Sequence, residues 1–272
     1  MSNNGNIGII DSGYGGITVL NEIVSVLPEY SYIYLGDNAR APYGVKSYEV
    51  VLEHTWECVE YLLNKNCDLI ILACNTASAK ALRTIQQKRL INYPGKRVLG
   101  VIRPSAEVIG KLTSNNEVGV LATDGTVNSL SYKLEIAKFF PNITVNQQSC
   151  PLWVPLIENA EYSTVEGESF IEKDLNLFKK SFPSTFTVIL GCTHYPILLP
   201  ILNKLAPEIN FISQGEIVAL ALKDYLKRHE WLVRKLSTKS NIKFLTTESA
   251  DSFNRNVKTM FDLVISSKKI NL

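Results

Sequence analysis

Two cysteines, Cys74 and Cys192, end apolar runs in the same way. Leu69-Ile70-Ile71-Leu72-Ala73 leads into Cys74-Asn75-Thr76, and Thr187-Val188-Ile189-Leu190-Gly191 leads into Cys192-Thr193-His194. Short apolar runs of this kind read as buried strands, and the stretches beyond, Ala79-Lys80-Ala81-Leu82-Arg83 and the apolar pattern after Pro196, read as helices. Each cysteine then stands at the carboxyl end of a strand, where open α/β sheets bind ligands. It also stands at a helix N-terminus, where the dipole and free N–H groups favour a thiolate and lower the pKa from about 8.5. A single cysteine in such a place is ordinarily a buried structural thiol. Two in matched turns suggest a pair that flanks one carbon, one thiolate removing a proton and the other thiol returning one to the opposite face. Asn75, Thr76 and Thr193 add donors beside the sulfurs, and His194 or Asp11 could carry a proton to or from them.

The elements that must position this pair repeat as well. Ile7-Gly8-Ile9-Ile10-Asp11 and Val118-Gly119-Val120-Leu121-Ala122-Thr123 are both apolar strands with an early glycine and a polar end. Each precedes its cysteine strand by a similar interval, which points to an internal duplication. After the first comes Asp11-Ser12-Gly13-Tyr14-Gly15-Gly16, a glycine-rich turn before a helix that ends at Pro28. Such a turn can present N–H groups to an anion, or its glycines can simply permit a tight turn. It is neither a dinucleotide fingerprint nor a P-loop.

Further along, strands are expected at 31–36, 97–102, 143–145, 210–212 and 243–246, and helices at 47–65, from Pro104, at 164–181, 215–229 and 250–261. Strands alternating with helices throughout mean an α/β protein with mostly parallel sheets. The loop Pro42-Tyr43-Gly44 could line a pocket, and Glu158 ends an apolar run, an unusual place for a carboxylate without a partner or a task. His54 and Cys58, four apart on a helix, could ligate a metal but have no third partner nearby.

Composition sets outer bounds. Apolar content of 46 %, charge of 20 % and a formal net charge of +2 describe an ordinary globular protein with no nucleic-acid signature. The basic run from Lys223 to Lys243 reads as a solvated face. The polar start Met1–Asn6 carries no apolar signal core, and no stretch approaches the ~20 residues of a membrane span. Five cysteines (58, 67, 74, 150, 192) without paired spacing suit free thiols in a reducing cytoplasm.

Six pieces in order, Ile10-Asp11-Ser12-Gly13 with Gly15-Gly16, Pro42-Tyr43-Gly44, Ala73-Cys74-Asn75-Thr76, Ala122-Thr123 with Thr126, Pro155-Leu156-Ile157-Glu158 and Gly191-Cys192-Thr193-His194-Tyr195-Pro196, resemble the glutamate racemases of the aspartate/glutamate racemase superfamily. The resemblance implies two pseudo-symmetric α/β domains around a cleft, expected at 1–97 plus 209–272 and at 98–208. It implies cofactor-independent interconversion of L- and D-glutamate, with Cys74 taking the α-proton of the D enantiomer and Cys192 that of the L. Asp11, Glu158 and His194 would assist. Asp11, Ser12, Pro42, Tyr43, Gly44, Asn75, Thr76, Thr123, Thr126, Thr193 and His194 would hold the substrate. In bacteria the product feeds peptidoglycan.

The sequence departs from the family at Ser213-Gln214-Gly215, where Asp-Ser-Gly is usual. No lysine occupies either cysteine turn, which argues against a pyridoxal Schiff base, and no three-ligand cluster suggests metal assistance. Partners reduce to a small-molecule substrate, with a homodimer left open. Three other readings stay on the table: a racemase for aspartate or a hydantoin, a thiol hydrolase built on Cys192 and His194, and a sensor that binds without turnover. Against the hydrolase, residues two apart on a turn seldom give the histidine its own orienting group.

Overall fold

A computed structural model describes residues 4–272. Met1–Asn3, part of the polar start, lies outside them. The chain opens with β1 (Asn6–Asp11), α1 (Gly16–Val26), β2 (Tyr32–Gly36), α2 (Tyr48–Asn64), β3 (Cys67–Leu72), α3 (Asn75–Lys80), α4 (Leu82–Thr84) and β4 (Arg97–Gly100). It continues with α5 (Ile102–Val108), β5 (Glu117–Ala122), α6 (Asp124–Asn128), α7 (Ser131–Phe139), β6 (Thr144–Ser149), α8 (Trp153–Glu158), α9 (Val165–Ser181), β7 (Thr187–Gly191), α10 (Leu199–Leu205) and β8 (Asn210–Ile212). It closes with α11 (Gly215–Arg228), α12 (Glu230–Val233), β9 (Ile242–Thr246), α13 (Ala250–Phe261) and β10 (Ser267–Lys269).

These strands form two sheets, ordered β10-β9-β2-β1-β3-β4 and β6-β5-β7-β8, with every pairing between named strands parallel. The order β2-β1-β3-β4 recurs as β6-β5-β7-β8, so the duplication expected from the two strand motifs extends to topology. Parallel strands need helical crossovers, which cover both faces and account for the unbroken apolar run of β3. Alternate residues feed alternate layers. Ile7, Ile9, Leu69 and Ile71 pack with α1, α11 and α13 residues, while Ile10, Ile33, Ile70 and Leu72 pack with α2. In the second sheet, Leu121, Val188 and Leu190 meet α8, α9 and α10, and Val118, Val120 and Ile189 meet α5 and α7.

The two early glycines do matching work. A Cβ on Gly8 would stand 2.9 Å from Leu62 Cδ1 of α2, and one on Gly119 would stand 2.5 Å from Phe178 Cζ of α9. At each position a large helix side chain rests on the strand backbone.

Several expectations shift. Expected boundaries at 97/98 and 208/209 would cut two strands from their sheets. β4 pairs with β3 through Gly100, and β8 pairs with β7 through Ile212. The chain therefore crosses between sheets just after Gly100 and again just after Ile212. The strand expected to run to 102 stops at Gly100, and α5 begins at Ile102 with Pro104 in its first turn, which a helix tolerates. The helix after Cys74 breaks into α3, α4, a wider π turn over Ile85–Arg89 and a tighter 3₁₀ turn over Leu90–Asn92. Helix α8 and edge strand β10 were not anticipated, since one is short and the other, Ser267–Lys269, is polar. The basic run is solvated as expected, except that Lys235 is half-buried with its ammonium over Trp231.

Gly119→Val should lower stability by about 1–3 kcal/mol, because Phe178 has no room to retreat. Urea unfolding should show a reduced midpoint at constant m-value. An unchanged midpoint would contradict this account of the glycine.

Candidate active site

The carboxyl ends of β1, β3, β5 and β7 meet at the seam between the sheets. Hydroxyls and backbone groups cross it directly. Thr76 Oγ1 lies 2.9 Å from Thr123 Oγ1 and 3.3 Å from Thr126 Oγ1, and Gly125 N–H donates to the Gly44 carbonyl at 2.8 Å. At the other end of the seam Thr193 Oγ1 donates to Asp11 Oδ1 at 3.2 Å, and Thr18 Oγ1 donates to the Thr193 carbonyl at 3.1 Å.

The two cysteines differ in their surroundings. Cys74, 6 % exposed, caps α3: Ala77 N–H donates to its sulfur at 3.4 Å, and Ser12 Oγ lies 3.5 Å away. The helix terminus was expected to lower the pKa of this thiol. Instead it is pushed up to about 12, by burial first and then by the Asp11 carboxylate, which together outweigh those hydrogen bonds. At neutral pH Cys74 carries its proton.

Cys192, 7 % exposed, opens no α-helix. A turn follows it, then a short 3₁₀ segment over Tyr195–Leu198, and α10 begins only at Leu199. Its neighbour is instead His194, whose Nδ1 lies 3.9 Å from the sulfur and whose Nε2 lies 2.9 Å from Glu158 Oε1. Burial opposes charge on this imidazole, but hydrogen bonds to Cys192 and Glu158 prevail and hold its pKa at about 10. Glu158, the last residue of α8, supplies the orienting carboxylate that the two-residue spacing had seemed to deny His194.

Asp11 is fully buried. Gly13 N–H donates to its Oδ2 at 3.0 Å. Burial raises its pKa, an effect that the charge on His194 and hydrogen bonds from Gly13, Gly16 and Thr193 oppose. The glycine-rich turn now has a specific reason. A Cβ on Gly15 would fall 2.5 Å from Thr193 Oγ1 and 2.6 Å from His194 Nδ1. Close approach of the opposite half, more than backbone conformation, requires glycine there.

Of the expected substrate contacts, Ser12, Thr76, Thr123, Thr126 and Thr193 lie at the seam. Pro42 is exposed, while Tyr43 and Gly44 are buried. The Tyr43 hydroxyl donates to Asp37 Oδ2 at 2.5 Å, and Asp37 also binds Arg40 Nε at 2.7 Å and Thr247 Oγ1 at 2.9 Å. The phenol thus anchors its loop. Asn75 is likewise engaged through both ends of its amide, donating to Gln214 Oε1 at 2.8 Å and accepting from Tyr132 Oη at 2.7 Å. Sequence reading missed Gln214 and Tyr132; the departure at Ser213-Gln214 was the available signal.

Among the described residues no cluster of three or more His, Cys, Asp or Glu side chains could hold a metal ion. Arg40 Nη1 lies 3.3 Å from His54 Nδ1, and Arg40 Nη2 lies 3.7 Å from Cys58 Sγ, so a cation already occupies the space between that pair. Two concavities lie away from the sulfurs. One of about 1020 Å³ lies between Thr18, Pro104, Phe211 and Leu220, and one of about 580 Å³ lies at the amino ends of β1, β2 and β9. Reactive groups, not cavity size, mark the site, because the halves are closed over the sulfurs.

Comparison with known proteins agrees with this arrangement. Residues 7–221 match the family described as Asp/Glu/Hydantoin racemase. The chain is 38 % identical to the glutamate racemase of Oceanobacillus iheyensis over 94 % of its own length and 91 % of that protein's. It superposes on a crystal structure of a glutamate racemase isoform from Bacillus anthracis with TM-score 0.90 and 33 % identity, covering 100 % and 99 % of the two chains. It superposes on the Francisella tularensis glutamate racemase, crystallised with D-glutamate, with TM-score 0.87 and 30 % identity, covering 99 % and 98 %.

Because the folded-state pKa of His194 is raised, its stabilising contribution is complete below the unfolded value near 6.5 and disappears as pH rises through about 10. The stability advantage of the native protein over His194→Gln, measured by urea unfolding, should therefore be largest below about pH 6.5, decline steadily from there, and be gone above about pH 10. An advantage that grows with pH would contradict a charged imidazole at this position.

Proposed function

The chain belongs to the Asp/Glu/Hydantoin racemase family, and from that premise we propose that it is a glutamate racemase working through two thiols and no cofactor. One observation carries the mechanism. Two buried cysteines follow equivalent strands, β3 and β7, of two sheets with the same strand order that meet at one seam.

Inversion at carbon needs a base on one face and an acid on the other. In the resting enzyme the Cys74 thiol, held at about 12, is the acid. Cys192 is the base toward L-glutamate, with His194 placed beside it to handle its proton. The Cα–H bond breaks and its proton passes to the Cys192 sulfur. The Cys74 S–H bond breaks and its proton passes to the opposite face of the carbon. D-glutamate leaves, with Cys74 now the thiolate and Cys192 the thiol, which is the mirror state that accepts the D enantiomer.

To take L-glutamate again the enzyme must exchange these protons. His194 links buried Cys192 to Glu158, whose side chain is 29 % exposed, giving a path toward solvent. Asp11 serves the Cys74 side, where its raised pKa suits it to hold a proton for a time. Negative charge building on the substrate during proton abstraction needs fixed donors in a closed, dry site. The seam hydroxyls of Ser12, Thr76, Thr123 and Thr126 are those donors, while Thr193, whose hydroxyl proton goes to Asp11, contributes through its backbone. With their side chains engaged elsewhere, Asn75 and Tyr43 contribute through backbone and loop position.

We assign 1–100 with 214–272 to one domain and 101–213 to the other, and the D-glutamate to peptidoglycan. A cytoplasmic site suits five buried free thiols. The His194–Glu158 contact also gives a second reading some support, since Cys192, His194 and Glu158 have the order of a thiol-hydrolase triad. That reading leaves the matching Cys74 without a task.

Incubation with L-glutamate in deuterium oxide separates these cases. The racemase should lose optical rotation while deuterium enters the D product, and Cys74→Ser and Cys192→Ser should each slow this by several orders of magnitude. Exchange with aspartate alone would move the substrate. A covalent adduct in the intact mass, without α-exchange, would favour the hydrolase.

A further inference from the structure

Gln214 stands where the chain leaves the second sheet, two residues after β8 and immediately before α11. Its side chain is buried and all its polar atoms are used. Nε2 donates to Tyr132 Oη at 2.7 Å and to Ser105 Oγ at 2.9 Å, with the Val101 carbonyl at 3.2 Å, while Oε1 accepts from Asn75 Nδ2 at 2.8 Å. Tyr132 Oη in turn donates to Asn75 Oδ1 at 2.7 Å.

The amide orientations follow from one group. The Val101 carbonyl can only accept and takes the Ser105 hydroxyl proton at 3.3 Å, so Ser105 Oγ is left to accept and Gln214 must turn its nitrogen, not its oxygen, toward the two of them. That turns Oε1 toward Asn75, which must answer with Nδ2 and leave Oδ1 for the tyrosine. Three side chains thereby close a ring in which each donates once and accepts once, all in the same sense. Hydrogen bonds so arranged in a low-dielectric interior polarise and strengthen one another.

The members come from both halves. Asn75 begins α3 and is bonded directly to Cys74. Tyr132 lies on α7 and packs in the core of the second sheet. Ser105 and Val101 belong to the first crossing of the chain between sheets, Gln214 to the second. One buried network therefore pins both crossings and clamps the turn that carries Cys74. Among the described residues, no member of it hydrogen-bonds to Cys192, His194 or Glu158. A serine at 214, the residue the family resemblance leads one to expect there, would stop at the first atom beyond Cβ and reach neither Asn75 nor Tyr132.

We infer that Gln214 is a positioning residue for racemisation: through its ring with Asn75 and Tyr132 it fixes the Cys74 turn against the opposite half, and so sets where that sulfur meets the α-carbon. The inference rests on the glutamate racemase reading above. Its signature is one-sided, because the ring is hydrogen-bonded to the residue that follows Cys74 and makes no hydrogen bond to the Cys192–His194–Glu158 side, so loosening it hinders proton transfer chiefly at Cys74.

The test uses Gln214→Met, which keeps volume, Tyr132→Phe, which removes one hydroxyl, and the double variant. Rates are measured from both enantiomers, with hydrogen or deuterium on the α-carbon. Each single variant should lose about tenfold or more in kcat/KM. The loss must be equal in the two directions, since the enantiomers have equal free energy in water. The double variant should lose less than the product of the singles, as members of one ring do. The isotope effect on kcat/KM should rise for D-glutamate, whose α-proton goes to Cys74, and fall for L-glutamate, where reprotonation by Cys74 becomes limiting. Wild-type rates in both folded variants would overturn the inference, as would slower rates with both isotope effects unchanged or shifted in the opposite sense. Should Gln214→Met fail to fold, Tyr132→Phe carries the same test alone. Failure of the wild-type protein to racemise glutamate would instead overturn the proposed function.

Discussion

A carboxylate taken wholly out of water must be given hydrogen bonds or lose its charge, and the burial of Asp11 imposes that demand on the whole seam. Gly13 answers from its own turn and Thr193 from the opposite half. The second answer can be given only if the two sheets meet with their strand ends facing. Gly15 then has to be a glycine, because Thr193 and His194 occupy the space a Cβ would need. The same carboxylate, close to Cys74, helps to keep that thiol protonated. Closure of the halves and the resting proton on one sulfur thus share a cause.

Around this point the frame is symmetric and the chemistry is not. Strand orders coincide, the paired glycines receive a helix side chain in each half, and each cysteine follows the third strand of its set. Yet one sulfur caps a helix beside a buried acid, and the other leans on an imidazole with its own carboxylate. A reaction between mirror-image molecules needs sulfurs in equivalent places but in opposite protonation states. Duplication supplies the equivalent places, and divergence of the neighbours gives the two sulfurs different surroundings.

Rigidity has a separate source. Polar side chains near the cysteines are mostly spent on one another: Tyr43 and Arg40 on Asp37, Asn75 on Gln214 and Tyr132. Fully satisfied buried networks of this kind hold a single arrangement of their members. The loops that line the site are therefore held from behind, and the groups left to meet a substrate are hydroxyls and backbone N–H groups at fixed positions.

The architecture was largely readable from the sequence. Apolar runs of strand length, helices of regular period, the repeat of the Gly8 and Gly119 strands and two cysteines at strand ends are local patterns, and local patterns survive without coordinates. Edge elements such as β10, and the crossings after Gly100 and Ile212, were misjudged or missed because an edge strand carries little apolar signal and its partner is remote in sequence. The cysteine chemistry was decided by tertiary structure. Helix position alone predicts a lowered pKa for Cys74, whereas burial together with a carboxylate from a distant strand raises it. Residue spacing leaves His194 without an orienting group, yet α8 brings Glu158 to it from a different segment. The Gln214 ring joins three distant segments of chain. Desolvation and cross-sheet hydrogen bonding sum over whatever folding brings near, so they belong to the three-dimensional structure even where every participating residue is plain in the sequence.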